Sequence, residues 1–321
     1  MFLGIEIGGT KLQLGVGTGN GGVLEARERT DVDKTKGAEG IRRQIVQIAP
    51  ALIQNYGVQT IGIGFGGPVN ATGGHTIRSF QIEGWNNFPL SEWSGKTLGL
   101  PTSIENDSNL AGLGEARFGA GKGKKVVVYS NIGSGIGGAL AINGELYLGG
   151  GRGAVLEIGH LRPGLDAESA EQTVESMASG WGIEEQLKAR LRSNTAGEED
   201  SRDHLINLCD GDLNRLTGKI VVEAVVDGNR VAEFILNQAI RTYGWALAQT
   251  VTLLAPDVIV IGGGIAQIGE ARFLAPLRLE VERYVIPPLR GCYEIIPAAL
   301  GEEVVVHGAI AMAADAAKLN V

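Results

Sequence analysis

Phe2-Leu-Gly-Ile-Glu-Ile-Gly-Gly-Thr-Lys11, running on into Leu12-Gln-Leu-Gly-Val16, is one apolar run entering a Gly-Gly turn and a second leaving it. That pattern predicts a β-hairpin, with glycine where the turn needs positive φ or a close neighbour. The same build returns at Val126-Val-Val-Tyr-Ser-Asn-Ile-Gly-Ser-Gly-Ile-Gly-Gly138, followed by Ala139-Leu-Ala-Ile142. Such turns expose backbone N–H groups, and two of them facing each other can clamp a polyphosphate. The repetition predicts a nucleotide-binding cleft between two related domains.

Beyond the first hairpin, Val23-Leu-Glu-Ala-Arg27 is read as a third strand. Ile41, Ile45, Ile48 and Leu52 fall at spacings of three and four, which predicts a helix from about Ala38 to Tyr56. Thr60-Ile-Gly-Ile-Gly-Phe65 is a buried strand stopped by Gly66-Gly67-Pro68. Thr102-Ser-Ile-Glu105 leads to Asn106-Asp107-Ser108, residues that cap a helix reaching about Phe118. Gly119-Ala-Gly-Lys-Gly-Lys-Lys125 is read as the join between domains, after which the order of strands starts again. Helices are expected from about Trp181 to Leu191 and from Val231 to Leu254. In the second, Val231, Ile235, Ala239, Tyr243, Leu247 and Val251 recur at every fourth position. Asp257-Val-Ile-Val-Ile261 is a buried strand running into Gly262-Gly263-Gly264. Strands alternating with helices give the α/β class.

A chain of 321 residues can hold one large domain or two moderate ones, with ample core. No apolar stretch is long enough to cross a bilayer, and the start lacks the features of a signal peptide, so a cytoplasmic protein away from membranes is expected. The two cysteines, Cys209 and Cys292, lie far apart without His or Cys neighbours, which fits structural thiols in a reducing compartment. A net charge of −8 disfavours a nucleic-acid surface, which needs a clustered basic face. Phosphate binding stays open, because oriented amides, one lysine and a divalent cation achieve it locally.

Gly8-Gly9-Thr10-Lys11 alone is an ordinary turn or a phosphate site; it is no Walker A loop, since GxxxxGK[ST] is absent and no helix follows. Gly133-Ser134-Gly135 strengthens the phosphate reading, because Ser134 matches Thr10 as a hydroxyl donor. Gly262-Gly263-Gly264 stands at the carboxyl end of a strand, where α/β sheets place ligands, and Gly264 begins a turn that lets an adenine or ribose approach the backbone. Asn106-Asp107 is either capping chemistry or a carboxylate held ionised by the helix dipole, ready to accept a proton from an attacking hydroxyl. Glu157-Ile-Gly-His160, with Glu175 and Ser179-Gly180 downstream, suits hydrogen bonding to vicinal hydroxyls, against a purely structural role. Trp85 is an apolar face for a sugar ring or a core aromatic.

Taken together, five segments resemble, in order and over essentially the whole chain, the motifs of the ROK family of sugar kinases and related repressors. They are Gly4-Ile-Glu-Ile-Gly-Gly-Thr-Lys11, Ile104-Glu-Asn-Asp-Ser-Asn109, Asn131-Ile-Gly-Ser-Gly-Ile-Gly-Gly138, Glu157-Ile-Gly-His160 and Ile259-Val-Ile-Gly-Gly-Gly264. The resemblance implies a duplicated actin-like ATPase (ribonuclease H-like) fold, with two α/β domains around a cleft holding ATP and Mg2+. The smaller domain is expected over 1–118 plus about 303–321, the larger over 119–302. Asp107 is implied as general base on a sugar hydroxyl, and Gly67, Asn106, Glu157, His160 and Glu175 as the other groups lining the sugar pocket. Gly9, Thr10, Lys11, Gly133, Ser134 and Gly135 are expected at the phosphates, and Gly262, Gly263 and Gly264 at the adenosine. Glu6 is expected to steady Mg2+ through water, and the chain to pair as a homodimer.

Three positions depart from the family pattern. Glu6 stands where many members have Asp; a carboxylate one methylene longer still reaches metal-bound water. The stretch from Leu161 to Ala178, where the family carries a zinc loop, has no cysteine, and Thr173 stands at the last zinc cysteine. No structural zinc is therefore expected, and packing must position His160. Gln81 stands where Asn is expected, which leaves the sugar open. The expected reaction is transfer of the γ-phosphoryl group of ATP to a hexose hydroxyl, with glucose the first candidate. The alternatives are an N-acetylhexosamine or fructose kinase, or a non-catalytic sugar-sensing regulator. Repressors of the family carry a helix-turn-helix ahead of the first motif, which begins here at Gly4 and leaves no room for one; with Asp107 intact, a kinase is expected.

Overall fold

The computed structural model describes residues 1–150, 155–165, 167–193 and 196–319. The N-terminal hairpin pairs β1 (Phe2–Ile7) with β2 (Lys11–Gly17), setting Ile5 opposite Leu14 and Glu6 opposite Gln13. β3 (Ala26–Asp31) extends it antiparallel, and α1 (Gly37–Tyr56) crosses to β4 (Thr60–Phe65), which lies parallel to β1. A ribbon of β5 (Val69–Asn70) and β6 (His75–Thr76) follows, then α2 (Leu90–Leu98), β7 (Thr102–Asn106) and α3 (Asp107–Arg117). The sheet runs β3-β2-β1-β4-β7.

The chain then repeats the plan with β8 (Val126–Ile132), β9 (Ile136–Ile142) and β10 (Glu145–Leu146). Among the described residues five α-helices follow: α4 (Val174–Ala178), α5 (Gly180–Arg192), α6 (Glu199–Leu208), α7 (Gly218–Val226) and α8 (Arg230–Leu254). β11 (Val258–Gly262), α9 (Ala275–Tyr284), β12 (Glu294–Pro297) and α10 (Val304–Leu319) complete it. This sheet runs β10-β9-β8-β11-β12, the order of the first one restated. The duplication expected from the two glycine turns is therefore present as duplicated strand order.

Two compact units form. Unit 1 comprises Met1–Tyr129, Ala139–Leu156 and Ala298–Val321, and unit 2 comprises Ser130–Gly138 and Glu157–Pro297. In unit 1, Leu3, Ile5, Ile61 and Ile63 are wholly buried on one face of the sheet, in one core with Ile41 and Ile45 of α1. Alternation puts Gly4 and Gly62 on the other face, where α10 lies so close that a β-carbon on Gly62 would run into the Ala309 carbonyl. In unit 2, Val258 to Ile261 are fully buried, and the buried Tyr243 of α8 donates its hydroxyl to Ser130 Oγ at 2.7 Å. Among the described residues, no helix is long and apolar enough to cross a membrane.

One expected strand is corrected. The third strand is not Val23 to Arg27 but Ala26–Asp31; Val23 is 95% exposed. β3 is an edge strand of mostly charged residues, so its place comes from pairing with β2 rather than from an apolar run of its own.

Candidate active site

In unit 1 the end of β7 and the start of α3 carry the candidate base. Asn106 is the helix cap: its Oδ1 accepts from Ser108 N at 2.9 Å and Asn109 N at 3.2 Å. Its Nδ2 donates to the Gly67 carbonyl and to Asp107 Oδ1, each at 3.1 Å. Asp107 Oδ1 also accepts from Ser108 N at 2.8 Å. The other oxygen, Oδ2, lies beside Gly66: a β-carbon there would come 3.4 Å from Oδ2 and 3.6 Å from Gly8 Cα. Gly67, Asn106 and Asp107 are thus brought together, with the less committed oxygen of Asp107 at the first glycine turn.

The environment sets the chemistry of that oxygen. Burial, and after it the charge of Glu6, push the Asp107 carboxyl up to about 6. Hydrogen bonds from Ser108 and Asn106 oppose this, as a helix start should, but they do not prevail. Glu6 is itself raised by burial, against the lowering influence of Lys11 and Gln13. Lys11 Nζ stands 3.3 Å from Glu6 Oε1, and Gln13 Nε2 donates to Glu6 Oε2 at 2.7 Å. Gly8 N donates to Lys11 O at 3.0 Å and closes the turn, while the Gln81 amide rests against Gly9. Thr10 is exposed at its tip.

Trp85 is a core residue, 1% exposed, edge-on to Phe65 and Phe88 with both centroids at 5.4 Å. The Arg42 guanidinium covers the same cluster, 5.6 Å from the Trp85 ring. It offers no open face to a sugar.

In unit 2, Glu157 precedes the short helical turn Ile158–His160, and Glu175 lies in the first turn of α4. Glu175 Oε2 accepts from Ile136 N at 2.7 Å, which ties it to the second glycine turn. Burial raises the Glu157 carboxyl, His160 lowers it and Glu175 raises it further, so these three ionisable groups share one locale. The start of α5 sits on the same turn, with Gly180 N donating to Gly133 O at 2.7 Å and Trp181 N to Ser134 O at 3.3 Å. Gly263 has φ +93° and passes beneath the Ile132 carbonyl, where a β-carbon would collide. Gly264 opens the helical turn Ile265–Ile268 with open space around it. Beside it is a tight apolar cleft of only ≈ 10 Å³ whose lining includes Ile183, Val221, Val222, Leu236, Ile265 and Ile268.

Where the zinc loop was in question, Thr173 is the cap of α4. Its Oγ1 accepts from Ser176 N at 3.2 Å, Ser176 Oγ accepts from Thr173 N at 3.1 Å, and Val174 N donates to Leu161 O at 2.8 Å. Among the described residues, no three His, Cys, Asp or Glu side chains are grouped to hold a metal ion. Asp166, inside this loop, lies outside the described residues.

Sequence reasoning missed Gln13 and the apolar cleft. Gln13 carried a signal, a lone amide inside an apolar strand. The cleft carried none, because α5, α7 and the turn after β11 are far apart along the chain.

The model of the ROK family matches residues 2–316. A glucokinase of Thermotoga maritima is 28% identical over 312 residues, covering 96% of this chain and 95% of that protein. A glucokinase of Streptomyces coelicolor is 30% identical over 320 residues, covering 98% of each. The crystal structure of a ROK family glucokinase from Streptomyces griseus, in complex with glucose and AMPPNP, matches with a TM-score of 0.83 at 29% identity, over 98% of this chain and 99% of that one.

Proposed function

The chain belongs to the ROK family and has its duplicated actin-like ATPase fold, and on that footing we propose that it is an ATP-dependent sugar kinase. The γ-phosphoryl group passes to a hexose hydroxyl, with glucose the first candidate. Glucokinases among its relatives support this, as does the likeness to a structure that holds glucose and AMPPNP. The observation that carries the reading is Asp107, with one oxygen tied down and the other at the first glycine turn, in a setting that raises its proton affinity.

In this reaction Asp107 Oδ2 takes the proton of the sugar hydroxyl while the hydroxyl oxygen bonds to the γ-phosphorus. The bond from that phosphorus to the bridging oxygen of the departing ADP breaks. Asn106 and Gly67 keep Asp107 in register, and Glu157, His160 and Glu175 accept from and donate to the neighbouring hydroxyls. Thr10, Lys11, Ser134 and the turn amides hold the phosphates, and the turn formed by Gly262, Gly263 and Gly264 takes the adenosine.

The residues also fit Mg2+. Glu6 is a buried carboxylate near enough to Asp107 for its charge to be felt there, and Lys11 only partly offsets its burial. A hard cation that keeps most of its waters and needs one or two carboxylates suits such a place. Glu6 would hold it through water, and the ion would neutralise charge on the transferring phosphoryl group.

A panel of hexoses and N-acetylhexosamines, assayed with ATP and Mg2+ for ADP release, tests the reading. Wild type should turn over a subset of the sugars, and Asp107→Asn should lose about 10²–10⁴-fold in rate. Equal ADP release by both proteins would remove the base assignment. Saturable sugar binding with no turnover would favour a sugar-sensing regulator.

A further inference from the structure

Gln13 is wholly buried and stands opposite Glu6 in the first hairpin. A buried amide has to satisfy both its ends. Its Nε2 donates to Glu6 Oε2 at 2.7 Å and to the Glu302 carbonyl at 3.0 Å. Its Oε1 accepts from Arg27 Nε at 3.1 Å and from Arg27 Nη2 at 2.8 Å. The remaining arm of Arg27, Nη1, reaches Glu303 Oε1 at 2.8 Å. A guanidinium only donates, so this double bond pattern decides which end of the amide is oxygen. The NH2 end is then pointed at Glu6, whose other oxygen faces Lys11 at 3.3 Å.

We propose that Gln13 and Arg27 are positioning residues, a guanidinium-to-amide relay that holds Glu6 in one orientation to receive the metal ion of a metal–nucleotide complex through water. The inference rests on the kinase reading for the role of Glu6. Its physical content is that an orienting partner behind a carboxylate tunes metal affinity by about 10–100-fold. Lys11 alone cannot substitute, because a compact ammonium on a flexible stem restrains position but not the plane of the carboxylate.

The test uses Mn2+ as a visible stand-in for Mg2+, bound with AMPPNP and followed by electron paramagnetic resonance. Gln13→Leu should weaken Mn2+·AMPPNP binding by about 10–100-fold, with sugar binding, read by tryptophan fluorescence, unchanged. Arg27→Met should weaken it less, since the amide still reaches Glu6, and Arg27→Lys, which can still donate to Gln13 Oε1, should recover most of the loss. Wild-type affinity in Gln13→Leu and Arg27→Met overturns the relay. If Gln13→Leu does not fold, the two Arg27 variants decide, because that side chain is partly exposed on an edge strand. Wild type that binds Mn2+·AMPPNP but phosphorylates no sugar sinks the kinase reading while leaving the relay to be judged by the spectra. Wild type that binds no metal–nucleotide sinks both.

Discussion

Asp107 has its two oxygens in different company, and that asymmetry has a pH signature. Oδ1 accepts from Ser108 N and Asn106 Nδ2, so the proton in transit belongs to Oδ2. With the carboxyl at about 6, kcat/KM should rise with pH through that value and level off above it, because only the ionised form can accept a proton. A rate that stays flat between pH 5 and 7 would contradict this. The same shift has a stability consequence. The folded chain binds more protons than the unfolded chain between the ordinary aspartate value of about 3.9 and the folded value, so this group's contribution falls as pH rises through that window. Asp107→Asn should therefore be more stable than wild type at pH 7, by at most ~3 kcal/mol since each unit is ~1.4, and near parity at pH 4; urea unfolding at the two pH values checks it. That Asp107 opens a capped helix was legible in Asn-Asp-Ser; which oxygen is available was not.

Along the chain, short-range chemistry explains four helix starts, those of α3, α4, α5 and α8. α8 begins at Asn229, whose Oδ1 accepts from Val231 N and Ala232 N, and α5 at Ser179, whose Oγ accepts from Gly182 N. α4 bears more directly on function, because it carries Glu175 and is joined to Leu161, the residue after His160. Thr173→Ala removes the Oγ1 acceptor of the reciprocal cap and should cost about 1 kcal/mol of stability. On the kinase reading, the sugar KM should rise with kcat little changed, and Thr173→Ser should restore it. Steady-state kinetics and thermal unfolding on the three proteins decide; an unchanged KM would leave the cap with no part in sugar binding. β3 shows the limit of local reading, since a charged edge strand has no apolar period to detect.

For the folded chain as a whole, Glu115 is a tie between distant segments of unit 1. It is fully buried in α3, and its Oε1 accepts from Ala299 N at 2.9 Å and Leu300 N at 2.8 Å, while Oε2 accepts from Ala120 N at 2.7 Å. One carboxylate thus fastens α3 to the stretch after it and to the segment where the chain re-enters unit 1. Glu115→Ala strands three backbone donors, each worth about 1–3 kcal/mol when left buried and unpaired. A loss of roughly 3 kcal/mol or more in denaturant unfolding is expected, and a loss below about 1 kcal/mol would refute the tie. Glu115→Gln, which keeps one acceptor oxygen, should fall between.

Glycine turns between apolar runs, three-and-four spacing and capping residues are relations among near neighbours, so they could be read directly from the order of amino acids. They determined the two hairpins, the duplicated α/β plan, α1, α3 and α8, while the roles expected of residues such as Glu6 and Gly67 were implied by the family resemblance. Tertiary packing alone decided the rest. Gln13 meets a carbonyl 289 residues away, and Glu115 meets amides 184 and 185 residues away. No local pattern encodes such partners, and the proton affinity of Asp107 depends on what excludes water around it. Desolvation and long-range hydrogen bonding exist only once the chain has folded.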